Sequence, residues 1–324
     1  MTGMNRLVFT FFLLFASPVG AAPLGILVPA YFYPPTYWDG LNWAAGRVPL
    51  AVIVNPGSGP GAAPDANYVA AVNNLRAAGG KTLGYVYSSY AARDPNAIQA
   101  DITNFFNFYP LDGIFVDEMQ NDASTNHYHY YAGLYQFIRT KGTNLFVMGN
   151  PGTTTPVPYL ATVDGLMTFE NDAANYPAYA PDGWVTNHLA RQFCHVIYAV
   201  TNATAMTNVV NLAASRNAGW VFVTDENNNA GNPYDRLPVY WTNEVNYIRS
   251  LNLAQPATQL KVVSMSNRVA SLQISGAPGV YELQASTNLA NWSVVLTANT
   301  PTNTLPVQDS AAPNFLWRFY RTRQ

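Results

Sequence analysis

Eight short apolar runs, separated by stretches of a different periodicity, constrain this chain more than any other feature it has. They cover 24–33, 50–54, 82–87, 113–116, 145–148, 165–169, 193–200 and 220–223, and are rich in the β-branched and aromatic residues that pleated strands favour. Between most of them, at 65–78, 95–108, 127–141, 203–217 and 238–251, apolar residues recur at helical spacing. Alternation of this kind predicts a parallel sheet wrapped by helices, and eight repeats predict closure into a (β/α)8 TIM barrel. A doubly wound sheet would need a glycine-rich phosphate turn after its first strand, whereas the residues after Ala30 are aromatic and proline-rich. The runs are apolar throughout, as strands covered on both faces should be.

The two ends of the chain read differently. Residues 1–22 hold one basic residue, Arg6, then the apolar run 7–15, then small residues, the three-part pattern of a secretory signal peptide. The mature chain is therefore expected outside the cell, secreted or at the surface, with no membrane insertion, because that run is shorter than the roughly 20 residues a spanning helix needs. From 256 onward, short alternating runs at 260–264, 268–274, 279–284, 293–296 and 317–321 predict a small, all-β, sandwich-like domain. Charge separates the same segments: 23–255 holds ten basic and sixteen acidic residues, net −6, and 256–324 holds five and two, net +3. The expected division is thus a signal peptide over 1–22, a catalytic barrel over 23–255 and a β-domain over 256–324.

Charge and cysteine content narrow the function. Sixteen Lys plus Arg against eighteen Asp plus Glu leave no basic excess for a phosphate backbone, so nucleic acid is not an expected partner. One cysteine, Cys194, and four histidines do not form a zinc pattern, and neither metal nor cofactor is expected.

A barrel carries its chemistry at the C-terminal ends of its strands. There the fourth run ends in Asp117 and Glu118 and the sixth in Glu170. Two acids held across a sugar are what glycosidic cleavage requires, one to protonate the departing oxygen and one to attack the anomeric carbon or activate water. Asn55, Tyr85 and Tyr87, Asn150 and Asp225 end the second, third, fifth and eighth runs, and His195 lies within the seventh, facing either the barrel or the helices. Tyr31, Tyr33, Tyr37, Trp38 and Trp43 suggest an aromatic rim, which suits the apolar faces of sugars. The candidate catalytic set is Asp117, Glu170 and Glu118. The candidate substrate contacts are Tyr31, Tyr33, Asn55, Tyr85, Tyr87, Asn150, His195 and Asp225.

Seven motifs then carry a resemblance: VPAYFYPP (28–35), IVNPGSGPG (53–61), GYVYSSYAARDP (84–95), DGIFVDEM (112–119), NPGT (150–153), FEN (169–171) and NPYDRLPVYW (232–241). In this order they resemble the spherulin-4 family. The resemblance implies a (β/α)8 glycoside hydrolase that cleaves within α-1,4-linked N-acetylgalactosamine stretches of galactosaminogalactan, with its acids at Asp117, Glu118 and Glu170. The C-terminal segment is similar to a small β-domain found at the ends of exported bacterial proteins, which implies no chemistry of its own. A non-catalytic polysaccharide-binding or coat protein is the second reading, since barrels are reused. It keeps the aromatic groove but does not need an acid at both strand ends. A deacetylase or esterase would want His and Asp ligands or a Ser-His pair, which the sequence supplies poorly.

Overall fold

The computed structural model describes residues 19–20, 23–255, 257–266, 269–276, 279–300, 304–315 and 317–323. The expected leader, 1–22, lies outside the described residues except for Val19–Gly20, which pair antiparallel with Ala257 and Thr258. The chain divides into two compact units, one of residues 22–254 and one that joins 255–324 to the N-terminal residues 1–21.

Eight parallel strands close the barrel in sequence order: β1 Gly25–Ala30, β2 Leu50–Val54, β3 Lys81–Tyr87, β4 Gly113–Asp117, β5 Phe146–Gly149, β6 Gly165–Asp172, β7 Phe193–Tyr198 and β8 Trp220–Val223. All the residues of β1 and β2 are buried, which is why their runs do not alternate with polar residues. Around the barrel lie α1 Trp38–Ala45, α2 Ala66–Ala77, α3 Pro95–Phe108, α4 Thr125–Lys141, α5 Ala203–Ser215 and α6 Trp241–Ala254. A 3-10 turn, Val157–Thr162, stands between β5 and β6, and three short ones stand between β6 and β7.

Helix starts follow local chemistry. The Asp65 carboxylate accepts from the backbone N–H of Asn67 and Tyr68, Asp94 accepts from that of Asn96 with Pro95 opening α3, and Asn202 caps α5. At the N-terminal end of the barrel, Asp112 accepts from Arg76 and from the Thr82 N–H, and Asp164 accepts from Tyr135, Arg139 and the Val147 N–H. Both carboxylates therefore tie helices to strand starts. Gly113 tolerates no side chain, because an added Cβ would stand 1.8 Å from the Phe146 carbonyl oxygen.

Helix α1 departs from the sequence reading, which left 38–45 in an aromatic rim. Trp38, Leu41 and Ala44 are buried along one face of this helix, so Trp38 belongs to the core. Trp43 is half-buried, with the Arg47 guanidinium 4.3 Å above its ring.

The second unit is two antiparallel sheets around their own core. In one, β9 Ala257–Ser266, β10 Val269–Ser275 and β13 Thr304–Asp309 are joined in that order. In the other, β11 Gly279–Ser286 lies between β12 Ser293–Thr300 and β14 Phe319–Arg323. Leu272, Ile274 and Val307 of the first sheet pack against Tyr281 and Leu283 of the second. The sequence reading missed β13, whose run contains Pro306. That strand lies at a sheet edge, where a proline deprives no neighbour of a ladder hydrogen bond.

Candidate active site

Asp117 closes β4 and Glu170 lies two residues before the end of β6. The register of β6 on β7 shifts between Met167 and Phe169, a bulge of the kind that re-aims side chains beside active sites. Between the two acids stands Asn150, just past β5. Its Nδ2 donates to Asp117 Oδ1 at 2.8 Å and to Glu170 Oε2 at 2.6 Å. The orientation of that amide is not arbitrary, because Asn150 Oδ1 accepts from the Gly152 N–H at 2.8 Å, which leaves the NH2 group for the carboxylates. Gly152 can serve this turn at φ +67, and its carbonyl accepts from the Glu170 N–H at 3.0 Å. Gly149 admits Met119 closely enough that an added Cβ would meet its sulfur at 2.2 Å, and the Met119 N–H donates to the Asn150 carbonyl at 2.9 Å.

Two tyrosines complete the polar ring. The Tyr234 hydroxyl donates to Glu170 Oε1 at 2.5 Å, and the Tyr85 hydroxyl stands close enough to Asp117 to act on its titration. Burial first, then the neighbouring acid, pushes both hydroxyls far above their ordinary pKa, so both remain donors at any working pH. Tyr31 makes T-shaped contacts with both rings, at 5.8 and 5.7 Å, and so joins them. Asp117 itself is raised to about 6. Burial is the larger cause and the charge of Glu170 the second, against the donors Tyr85, the Glu118 N–H and Asn150.

Glu118 follows in the left-handed region, at φ +53. Its carbonyl accepts from Ser88 Oγ at 2.7 Å and from the Tyr90 N–H at 2.8 Å. These two bonds tie the end of β4 to the loop that follows β3. Strain at such a residue is common where a site over-determines the backbone.

Tyr31, Tyr85, Asn150, Asp117 and Glu170 therefore converge, Glu118 adjoins them through its backbone, and the remaining candidates are engaged elsewhere. Asn55 Oδ1 accepts from the Gly59 N–H and braces the proline-rich loop after β2. Tyr87 is half-buried beneath the Arg93 guanidinium, 4.2 Å from its ring centre. Asp225 receives both terminal nitrogens of Arg236, which hold it below the ordinary carboxylate range despite burial, and also the Val239 N–H. Tyr33 is exposed, with its hydroxyl on Asp65. His195 is fully buried, bonded through Nδ1 to the Tyr176 hydroxyl at 2.7 Å, and ringed by Phe169, Tyr176 and Tyr179. Tyr176 and Tyr179 in turn lie under the guanidinium of Arg216 at the end of α5, so His195 points outward into the packing layer. Tyr234 is the contact that sequence reasoning missed. It lies in NPYDRLPVYW, in the loop between the last barrel strand and α6, where a rim position could have been read from the fold alone.

Among the described residues, no group of three or more His, Cys, Asp or Glu side chains is placed to hold a metal ion, and no helix is long and apolar enough to cross a membrane.

With this geometry in place, known proteins can be compared. The model of spherulation-specific family 4 matches residues 25–248. Spherulin-4 of Physarum polycephalum is 34% identical over 242 residues, covering 71% of each chain. Among solved structures, Aspergillus clavatus Sph3 in complex with GalNAc matches with a TM-score of 0.62 at 26% identity, over 70% of this chain and 98% of that one. A family match across nearly the whole barrel, and a relative this similar over more than two thirds of both chains, place the chain in the spherulin-4 family.

Proposed function

We propose that the chain is a secreted, retaining glycoside hydrolase that cuts within a polymer containing α-1,4-linked N-acetylgalactosamine. The Asn150 bridge carries this reading. One amide nitrogen touches both acids, so their nearest oxygens are separated by no more than bonds of 2.8 and 2.6 Å laid end to end. That spacing suits a retaining pair, about 5–5.5 Å apart, better than an inverting pair at roughly 6.5–9.5 Å. The GalNAc held by the Sph3 structure supports the choice of sugar. The signal-peptide pattern at 1–22 supports export.

In the first step the Asp117 carboxylate attacks the anomeric carbon. The glycosidic C–O bond breaks, and Glu170 gives its proton to the departing oxygen. In the second step water attacks the glycosyl ester, Glu170 takes the water's proton, and Asp117 leaves as carboxylate. Asn150 donates to both acids and Tyr234 to the other oxygen of Glu170, so the pair is held in place throughout.

Incubation with a panel of amino-sugar polymers should release oligosaccharides from those containing N-acetylgalactosamine. Asp117→Asn and Glu170→Gln should each lower kcat by roughly 10²–10⁴ with little change in stability. An Asp117→Asn protein of undiminished rate would overturn the catalytic assignment, and product anomers that first appear inverted by NMR would overturn retention.

A further inference from the structure

The most exposed aromatic side chains of the barrel unit are Tyr33 at 53%, Tyr37 at 42% and Tyr90 at 58%, whereas its other large exposed apolar residues, Val157, Val239 and Leu253, are aliphatic. All three aromatics stand on loops that leave the C-terminal ends of β1 and β3, and so share one arc of the catalytic rim running from β4, where Asp117 ends its strand, back to β1.

Two of the rings make T-shaped contacts that leave most of their surface open. Tyr33 meets Tyr68 edge-on at 5.5 Å, and its hydroxyl donates to Asp65 and accepts from Asn67. Tyr37 meets Phe32 edge-on at 5.3 Å. Tyr90 is fixed through its backbone: Ser89, Tyr90 and Ala91 have φ of 48, 56 and 66, three successive left-handed residues, none of them glycine. That turn is clamped to the site by the Tyr90 N–H on the Glu118 carbonyl, and again by Ser88 Oγ on the same oxygen. Behind it, the Tyr130 hydroxyl donates to the Arg93 carbonyl at 2.6 Å, and Arg93 pairs with Asp101. A strained backbone held this firmly to keep a large ring in solvent contributes little to packing, but it prepares a rigid platform for a ligand.

We propose that this arc is a one-sided track for the polymer. Tyr90 stacks on the sugar nearest the acids, and Tyr33 and Tyr37 stack on units farther along. The proposal deepens the glycosidase reading and rests on it for the identity of the sugar. The β1 and β3 loops are two strand spacings apart, about 10 Å, which leaves room for more than one ring between them. Contacts at Tyr90 should therefore matter for every chain length, and contacts at Tyr37 only for long chains.

Glycine substitution removes each ring while suiting its backbone, φ 56 at Tyr90 and φ 65 at Tyr37, so the fold should survive, and melting curves of the variants check this. With soluble oligomers of increasing length, Tyr90→Gly should raise KM about tenfold at all lengths with kcat within about twofold, and Tyr90→Phe should restore it. Tyr37→Gly should raise KM for long oligomers only. Retention is read separately, by electrophoresis through gels containing partly deacetylated α-1,4-galactosamine polymer or its fully N-acetylated form, in the inactive Asp117→Asn background. Both glycine variants should migrate faster than their parent. Unchanged KM and migration in both would overturn the track. Retention that falls in the variants while the wild type hydrolyses nothing would keep the track and overturn the glycosidase reading. A parent retained by neither polymer would overturn both.

Discussion

At the scale of single residues, the acid pair can be assigned by its titration. Asp117 carries a pKa raised to about 6, so the free enzyme has an ionised Asp117 only above that value. If Asp117 attacks as a carboxylate, kcat/KM should rise with pH through about 6, and a fall over the same range would make Asp117 the proton donor instead. Asn150 donates to Asp117 and holds its pKa down, so Asn150→Ala should move that midpoint to higher pH as well as slow the reaction. Sequence position was enough to place Asp117, Glu170, Asn150 and Tyr85 at strand ends. The same rule put Asn55, Tyr87 and Asp225 there, and each of them is taken up by a neighbour, Gly59, Arg93 and Arg236 respectively. A strand-end rule sees position along the chain, whereas partners arrive from loops that are distant in it.

At the scale of elements, β7 shows what period-two reasoning leaves open. Its run is apolar on both faces, so the pattern cannot say which way His195 points, and the structure turns it outward against Tyr176 and Tyr179. Burial, with Arg216 as a second cause, lowers the His195 pKa to about 3. The unfolded chain, with a histidine near pH 6.5, therefore binds more protons at this residue between those values, so its contribution to stability rises with pH across that window, opposite in sign to the contributions of the raised Asp117 and Glu244 carboxyls. Acidification from pH 6.5 toward 3 should cost about 4 kcal/mol through this one residue. Urea denaturation as a function of pH, run on the wild type and on His195→Phe, should show that slope in the difference between the two proteins. The bulge in β6 is equally local and equally silent in sequence: Thr168 looks like any strand residue, yet the register shift beside it sets where Glu170 points.

At the scale of the molecule, two cores share one chain. The barrel core and the core of the β-unit draw on separate segments, meeting in sequence near Gln255, where the charge balance also changes sign. A fragment spanning 23–255 should therefore fold cooperatively and retain the full chain's rate on short soluble substrate, because every residue of the acid pair's network lies within it. Calorimetry and initial rates on fragment and full chain check this. An unfolded or inactive fragment would show that the β-unit completes the enzyme.

The barrel, its eight strands, the β-rich tail and the two principal acids were written in the sequence, because hydrophobic periodicity and strand order are local properties that close packing leaves intact. Tertiary structure alone decided the rest. It turned Trp38 into core by folding 38–45 as a helix, and it made β13 an edge strand able to hold Pro306. It also brought Tyr234 to Glu170 across 64 residues and used one amide of Asn150 to join both acids. Those outcomes depend on which side chains meet when a sheet closes. Closure is a condition on all eight strands at once, and no single window of sequence contains it.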